Sequence, residues 1–198
     1  MNIAVVDYGT GNLHSLIKAL ERAGAHVWAQ ADLTQALSAD AVVLPGVGAF
    51  GAAAAQLAPG IPALHAAIAE GKPCLGICLG MQLLFDTSEE GTGSGLSALD
   101  GTSRRLTGRR VPHMGWNDVE MVDDPIFAGM SQFIAYYANS YVVEPADKSD
   151  VIAWSRYGNH RFPAAVRRDS VWGVQFHPEK SGADGLRLLD NFVAQVGT

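Results

Sequence analysis

The sequence has few cysteines and few basic residues, and each shortage excludes a class of function. Cys74 and Cys78 are the two cysteines among 198 residues. Two are too few for a disulfide framework, and their C-x-x-x-C spacing differs from the C-x-x-C redox pattern. Twenty acidic residues against fourteen basic ones give a net charge of −6. Proteins that bind the phosphate backbone carry a basic surface, so nucleic acid is not an expected partner.

The sequence also lacks a long uninterrupted hydrophobic run and a targeting segment. Its most apolar stretch, residues 49–85, is broken by glycine, proline and charged residues, so no window of about 20 residues is expected to span a membrane. The first residues have neither the basic region nor the cleavage site of a signal peptide. We therefore expect a cytoplasmic protein and no membrane partner. At roughly 100 to 200 residues per domain, residues 1–198 are expected to form a single domain.

Short apolar runs alternate with helical patterns in the first half of the chain, and strands dominate the second half. This pattern predicts a three-layer α/β domain with a mostly parallel central sheet flanked by helices and a β-rich second half. A helical pattern that begins at Leu13 follows the first strand. The other predicted helices lie at 51–57, 62–70, 79–85 and 183–196. Strands are predicted at 3–6, 25–28, 41–44, 74–77, 132–137, 151–157, 162–166 and 171–175.

Cys78 lies between a predicted strand and a predicted helix, with Gly76 and Gly80 two residues away on either side. A G-x-C-x-G segment at such a position is typical of a nucleophile elbow, in which glycines let the neighbouring backbone approach closely. The helix N-terminus favours a thiolate. The alternative is a buried core cysteine, which is the preferred interpretation for Cys74.

A histidine follows the last predicted strand and supplies the proton carrier that a cysteine nucleophile needs. His177 is followed two residues later by Glu179, whose carboxylate would orient the ring and stabilise its cation. The alternative is a surface histidine beside a glutamate in a turn. Chain positions alone do not bring His177 to Cys78.

Three further patterns bear on the chemistry. Residues 45–48, Pro-Gly-Val-Gly, follow a strand and could present backbone amides to an oxyanion, or form a plain glycine-rich turn. Gly9 and Gly11 partly match a dinucleotide fingerprint, but His14 occupies the third glycine position. No H-E-x-x-H, paired C-x-x-C or Walker motif is present, so no metal site is expected.

Taken together, residues 45–48, 76–82 and 175–179 resemble the class I, triad-type glutamine amidotransferases. Residues 7–12, 45–51, 112–117 and 179–182 narrow the resemblance to the glutaminase subunits of imidazole glycerol phosphate synthase. The resemblance covers nearly the whole chain. It implies the class I glutamine amidotransferase fold and a glutaminase that needs no cofactor.

The resemblance implies a role for individual residues. Cys78 would be the nucleophile, His177 the general acid and base, and Glu179 the residue that orients His177. The backbone amides of Val47 and Leu79 would form the oxyanion hole, the former after a peptide reorientation. The residues implied to bind glutamine are Gly46, Gly48, Gln82, Ser140 and Tyr141.

The resemblance also implies a heterodimer with a cyclase subunit, a (βα)₈ barrel that receives the ammonia. The barrel would make imidazole glycerol phosphate and aminoimidazole carboxamide ribotide in histidine biosynthesis. Asn12, Trp116 and Lys180 match the docking surface of the family, although Trp116 could instead pack in the core. Open alternatives are an amidotransferase subunit of another pathway and a catalytically silent partner-binding module.

One residue departs from the family pattern. Asn139 stands where these proteins usually carry histidine before Ser140 and Tyr141. Because this strand borders both the glutamine pocket and the subunit interface in the family, we expect Asn139 to affect coupling between the subunits more than the chemistry.

Overall fold

The computed structural model describes residues 1–9, 13–108 and 110–197. In the first half, strands and helices alternate as predicted. They are β1 (Asn2–Val6), α1 (His14–Arg22), β2 (His26–Gln30), α2 (Leu33–Ala36), β3 (Ala41–Leu44), α3 (Phe50–Leu57), α4 (Ile61–Ala69), β4 (Cys74–Ile77) and α5 (Leu79–Leu83). The short α2 was not predicted from apolar spacing. Asp32 caps it, because its carboxylate accepts hydrogen bonds from the amides of Thr34 and Gln35.

The second half is mostly strand, also as predicted. It contains β5 (Thr87–Ser88), β6 (Gly101–Arg105), β7 (His113–Met121), β8 (Phe133–Asn139), β9 (Tyr141–Pro145), β10 (Val151–Tyr157), β11 (His160–Arg168) and β12 (Val171–Val174), and it closes with α6 (Gly182–Val196). β5, β6, β7 and β9 were not predicted. The exposed polar residues of β6 and β7 conceal their strand periodicity.

Within the described residues, nine strands form one sheet in the order β2-β1-β3-β4-β12-β11-β10-β7-β8. The first five of these strands are parallel, and β12, β11, β10, β7 and β8 pair antiparallel in succession. β5, β6 and β9 form a separate small sheet. The parallel half therefore has the predicted architecture, and the β-rich second half extends the same sheet.

Helices cover both faces of the parallel half. One apolar cluster contains Ile3 and Val5 of β1 with residues of α1 and α6, and the other contains Ala4 and Val6 with residues of α2, α3 and α4. Successive side chains of a strand point to opposite faces, so β1 is buried on both sides. The molecule thus has the predicted three layers.

Contrary to the expectation from the sequence, the helical run Phe50–Ala69 is long and apolar enough, by length and composition alone, to cross a membrane. It is divided into α3 and α4 by a 3₁₀ turn at Ala58–Gly60. Phe50, Leu57 and Leu64 are buried in the apolar cluster on one face of the sheet. These side chains account for part of its hydrophobicity, and 28% of its most apolar window is buried.

The carboxyl ends of three neighbouring parallel strands meet at one edge of the sheet. Val42 to Leu44 of β3 pair with Cys74 to Gly76 of β4, and Val174 of β12 pairs with Ile77. The residues that follow these strands are Pro45, Cys78 and Gln175. Open α/β sheets bind ligands at this edge. The glycine-rich segment 45–48, Cys78 and the segment containing His177 therefore all lie there.

Candidate active site

Cys78 occupies a sharp turn between β4 and α5. Its φ of 48° and ψ of −104° place a residue with a side chain in the left-handed half of backbone space, where such residues are uncommon. Both flanking glycines are required by close backbone contacts. A Cβ on Gly76 would lie 2.6 Å from the Gly80 carbonyl carbon, and a Cβ on Gly80 would overlap the Leu44 carbonyl oxygen. The backbone thus has the geometry expected of a nucleophile elbow.

His177 and Glu179 form a buried pair at the end of β12. The His177 Nδ1 lies 2.9 Å from Glu179 Oε1, and the two side chains are 4% and 10% exposed. The backbone of His177 is fixed on both sides, because its amide donates to the Tyr136 carbonyl and its carbonyl accepts from the Ser181 hydroxyl. These contacts fix the position of the residue, and the contact of its Nδ1 with Glu179 orients the ring.

The charge state of His177 follows from competing effects. Burial opposes the cation, but hydrogen bonds to Cys78 and Glu179 and the negative charges of both groups favour it more strongly. Together they raise the pKa of His177 to about 10. The ring is therefore an imidazolium at neutral pH and can donate a proton to a leaving group.

A cavity of about 180 Å³ opens in front of the Cys78 side chain. It is lined by all five residues predicted to bind glutamine and by one of the two predicted oxyanion-hole residues, Leu79. The other, Val47, lies between two residues that line it. The lining residues are Gly46, Gly48, Cys78, Leu79, Gln82, Glu90, Ala138, Asn139, Ser140 and Tyr141. The fold therefore brings four parts of the chain around one sulfur atom.

The glycine-rich segment 45–48 packs directly against the cysteine and the histidine. A Cβ on Gly46 would lie 2.8 Å from His177 Cε1 and 2.9 Å from Cys78 Cβ. The buried Tyr8 hydroxyl donates a hydrogen bond to the Pro45 carbonyl. Burial, the largest cause, raises the pKa of Tyr8 well above its usual value, so the phenol stays a donor. Tyr8 thus holds one end of this segment.

Sequence reasoning missed three residues of the site. Glu90 lines the cavity, and its carboxylate accepts a hydrogen bond from the Phe50 amide at 3.2 Å. Gln175 lies against the Cys78 sulfur, and Ala138 contributes a carbonyl 4.0 Å from that sulfur. Glu90 belongs to an acidic loop with no periodic pattern, so nothing in the sequence alone places it here.

Asn139, the residue that departs from the family pattern, is buried in the cavity wall. Its Nδ2 donates to the Tyr141 carbonyl at 3.0 Å, and Gln82 Nε2 donates to the same carbonyl at 3.1 Å. The Asn139 Oδ1 is buried and has no hydrogen-bond partner among the described residues. An acceptor is therefore available there to a bound molecule.

The structure describes two of the three predicted docking residues. Asn12 lies outside the described residues. Trp116 is 54% exposed, so its interpretation as a core residue is wrong, and it lies across from Tyr136 on β8. Met114 and Ile134 are 65% and 51% exposed on the same pair of strands. Lys180 is also exposed, at the end of the 3₁₀ turn Pro178–Lys180.

The remaining cysteine has no part in this arrangement. Cys74 is fully buried at the start of β4, and burial raises the pKa of its thiol to about 12. It is therefore a neutral core residue, in agreement with its predicted role.

Comparison with known proteins agrees with this geometry. The sequence profile of the family Glutamine amidotransferase class-I matches residues 4–196. The chain belongs to this family. It is 48% identical to the imidazole glycerol phosphate synthase subunit HisH of Halobacterium salinarum, over 97% of the chain and 92% of that protein. It is 47% identical to the HisH subunit of Synechococcus elongatus, over 98% of the chain and 93% of that protein.

A solved structure supports the fold of this amidotransferase independently. A crystal structure described as a glutamine amidotransferase superposes with a TM-score of 0.78 at 20% identity, and the match covers 99% of each chain. At that identity the likeness concerns the fold alone. It confirms the predicted class I glutamine amidotransferase fold.

Proposed function

We propose that this protein is the glutaminase subunit of an imidazole glycerol phosphate synthase, acting as one amidotransferase domain in the cytoplasm. The observation that carries the proposal is that Cys78 lines one small cavity and is contacted by the buried pair of His177 and Glu179. The HisH relatives, which are similar over nearly the whole chain, support the choice of pathway. The reaction is the hydrolysis of glutamine to glutamate and ammonia.

The first half-reaction forms a thioester. The Cys78 thiolate attacks the side-chain carbonyl carbon of glutamine and forms a tetrahedral intermediate. When the intermediate collapses, the carbon–nitrogen bond breaks and His177 gives its proton to the departing nitrogen, which leaves as ammonia. Glu179 keeps the ring in the orientation that this transfer requires.

The second half-reaction releases glutamate. Water attacks the thioester carbonyl, and the now neutral His177 accepts the proton of that water. The carbon–sulfur bond then breaks, and Cys78 regains its thiolate. Leu79 is the first residue of α5, so its amide is one of the free donors at a helix N-terminus, and we assign it to the oxyanion with the Val47 amide.

The cavity wall suggests how glutamine is held. Glu90 is the acidic side chain among the lining residues, so its carboxylate is placed to attract the α-ammonium group. Gln82, Ser140 and Tyr141, with the backbone of Gly46 and Gly48, complete the binding surface. The unpaired Asn139 Oδ1 offers one further acceptor. No cofactor enters this scheme.

We assign the exposed face of β7 and β8 to the cyclase subunit, which would receive the ammonia in a heterodimer. Exposed aromatic and long apolar side chains are frequent anchors of protein interfaces, and Trp116, Met114 and Ile134 provide them. β8 also touches the site directly, through the Tyr136 carbonyl on the His177 amide and the Ala138 carbonyl near the Cys78 sulfur. A partner bound to this face is therefore positioned to affect catalysis.

The proposal is tested by measuring glutamate release from glutamine by the chain alone, with the cognate cyclase, and with the cyclase plus its nucleotide ligand. We expect the complete mixture to give the highest rate and Cys78→Ala to abolish it. Stimulation by the synthase subunit of another pathway, and not by this cyclase, would contradict the assigned pathway. No glutamate in any mixture would indicate a silent binding module instead.

A further inference from the structure

A glutamine side chain contacts the Cys78 sulfur from the residue that follows β12. Gln175 is completely buried, and its Nε2 lies 3.6 Å from Cys78 Sγ. Sulfur is a large acceptor, so this separation is within hydrogen-bonding distance. A neutral N–H donor therefore faces the sulfur in addition to His177.

The remainder of the Gln175 side chain is held so that its donor points to the sulfur. Its Oε1 accepts a hydrogen bond from Gln82 Nε2 at 3.4 Å, and its backbone amide donates to the Ala164 carbonyl at 2.8 Å. Gln82 Nε2 is itself held by the Tyr141 carbonyl. Because an amide oxygen cannot donate, this arrangement leaves the Gln175 Nε2 for the sulfur.

The other groups around the sulfur do not supply such a donor. The Ala138 carbonyl accepts, and the Tyr8 hydroxyl already donates to the Pro45 carbonyl. Glu90 at the cavity wall and Glu179 behind His177 are carboxylates, which disfavour a second negative charge nearby. Among the described side chains that these contacts bring to the sulfur, His177 and Gln175 favour its ionised form.

We propose that Gln175 is a catalytic residue that donates a hydrogen bond to the Cys78 thiolate. Its role in turnover rests on the proposed glutaminase function. In the second half-reaction the carbon–sulfur bond breaks and its electron pair returns to sulfur, and the Gln175 N–H stabilises that leaving thiolate. The same contact holds the sulfur in place at the cavity before glutamine binds.

Two substitutions distinguish the role of the Gln175 Nε2 donor from the role of the side chain as a whole. Gln175→Glu keeps an oxygen for Gln82 and replaces the donor at the sulfur with a second oxygen. Gln175→Leu removes both contacts at similar volume. The measurement is the pH profile of Cys78 alkylation by iodoacetamide in the isolated full chain, with Cys78→Ala as the background for the buried Cys74. Circular dichroism and the thermal unfolding midpoint verify folding.

Both variants are expected to move the midpoint of the alkylation profile upward, by about one pH unit for Gln175→Leu and by more for Gln175→Glu. At a pH well below both midpoints, a one-unit shift corresponds to alkylation about tenfold slower. The matched control is Asn191→Leu on α6, which removes a side-chain amide that donates to the Ile126 and Ala128 carbonyls. It is expected to leave the midpoint unchanged.

A folded Gln175→Glu variant with the midpoint of the wild-type chain would overturn the proposal, whatever Gln175→Leu does, because the donor would then be irrelevant. Measuring glutamate release by the same preparations distinguishes a failure of the proposed function from a failure of the role of Gln175. Shifted midpoints without glutaminase activity in the wild-type chain would contradict the proposed function alone. Glutaminase activity with unshifted midpoints would contradict the role of Gln175 alone.

Discussion

His177 is the side chain whose protonation the site changes most clearly. Its ring is almost completely buried, yet the hydrogen bonds and charges of Cys78 and Glu179 more than offset the cost of burying a cation. The proton that ammonia needs is therefore present on the ring throughout the neutral range.

Replacing Glu179, which orients the ring, should show that the pKa of His177 depends on this carboxylate. Glu179→Gln removes one of the causes that raise the pKa of His177, so the pKa falls and the imidazolium is lost at lower pH. The alkaline limb of the kcat/KM profile should move toward neutral pH, and kcat should fall by roughly ten- to hundredfold. An alkaline limb that stays in place in the partner-stimulated reaction would contradict this account.

Glu90 should act on binding and not on chemistry. Glu90→Gln removes the negative charge at the cavity wall, so KM for glutamine should rise about tenfold while kcat changes little. Glu89→Gln is the matched control, since Glu89 contacts Arg104 and the Arg105 amide instead of the cavity. Equal KM values for the two variants would show that Glu90 does not contribute to glutamine binding.

Asn139 is the residue that departs from the motif expected from the sequence resemblance. Asn139→His should change the partner-stimulated rate of glutamate release more than the basal rate, because residue 139 ends the strand that carries the proposed docking face while Cys78, His177 and Glu179 are unchanged. The comparison is between stimulated and basal rates of the two proteins. No change in either rate would refute the expectation.

At the scale of elements, the turn between β4 and α5 depends on backbone contacts that leave no room for side chains. Gly80→Ala would press a methyl group into the Leu44 carbonyl at the end of β3. We expect about 3 kcal/mol lower free energy of unfolding in urea titrations, which is the upper range for overpacking. Gly91→Ala is the control, because its Cβ would meet the Gly51 amide nitrogen at 3.5 Å, an ordinary contact. Equal losses would show that the elbow is not tightly packed.

The elements differ in how far the sequence predicts them. β3, β4 and β10 have the predicted bounds, and α3, α4 and α6 differ by one residue at one or both ends. Their apolar runs are continuous or follow helical spacing, because each packs against the core. β6 and β7 were missed because they are largely exposed and polar, so their pairing with β9 and β8 is decided by tertiary contacts.

The motifs of the site could be predicted from the sequence, but the way in which they come together could not. Residues 45–48, Cys78 and His177 each follow a strand, and the parallel pairing of β3, β4 and β12 brings them together. Glu90 and Gln175 could not be assigned, because their roles depend on which side chain faces a cavity that exists only in the folded chain. The orientation of the Val47 amide stays a prediction.

At the scale of the whole molecule, the exposed face of β7 and β8 should determine association with the cyclase. Trp116→Ala is expected to weaken the complex by about 2 kcal/mol, or roughly thirtyfold in Kd, while basal glutamate release stays within twofold. Val122→Ala, at a 50% exposed apolar residue beyond the end of β7, is the control. Equal Kd values for both variants in titration calorimetry would place the partner elsewhere.

The central claim is that glutamine is hydrolysed through a thioester on Cys78. The most direct measurement is to mix the complex with glutamine, quench it in acid during turnover, and determine the intact mass and the modified peptide. The account predicts a glutamyl adduct on the peptide that contains Cys78, which accumulates and decays at rates consistent with turnover and is absent in Cys78→Ala. Glutamate formation with no adduct under these conditions, or an adduct on another residue, would contradict it.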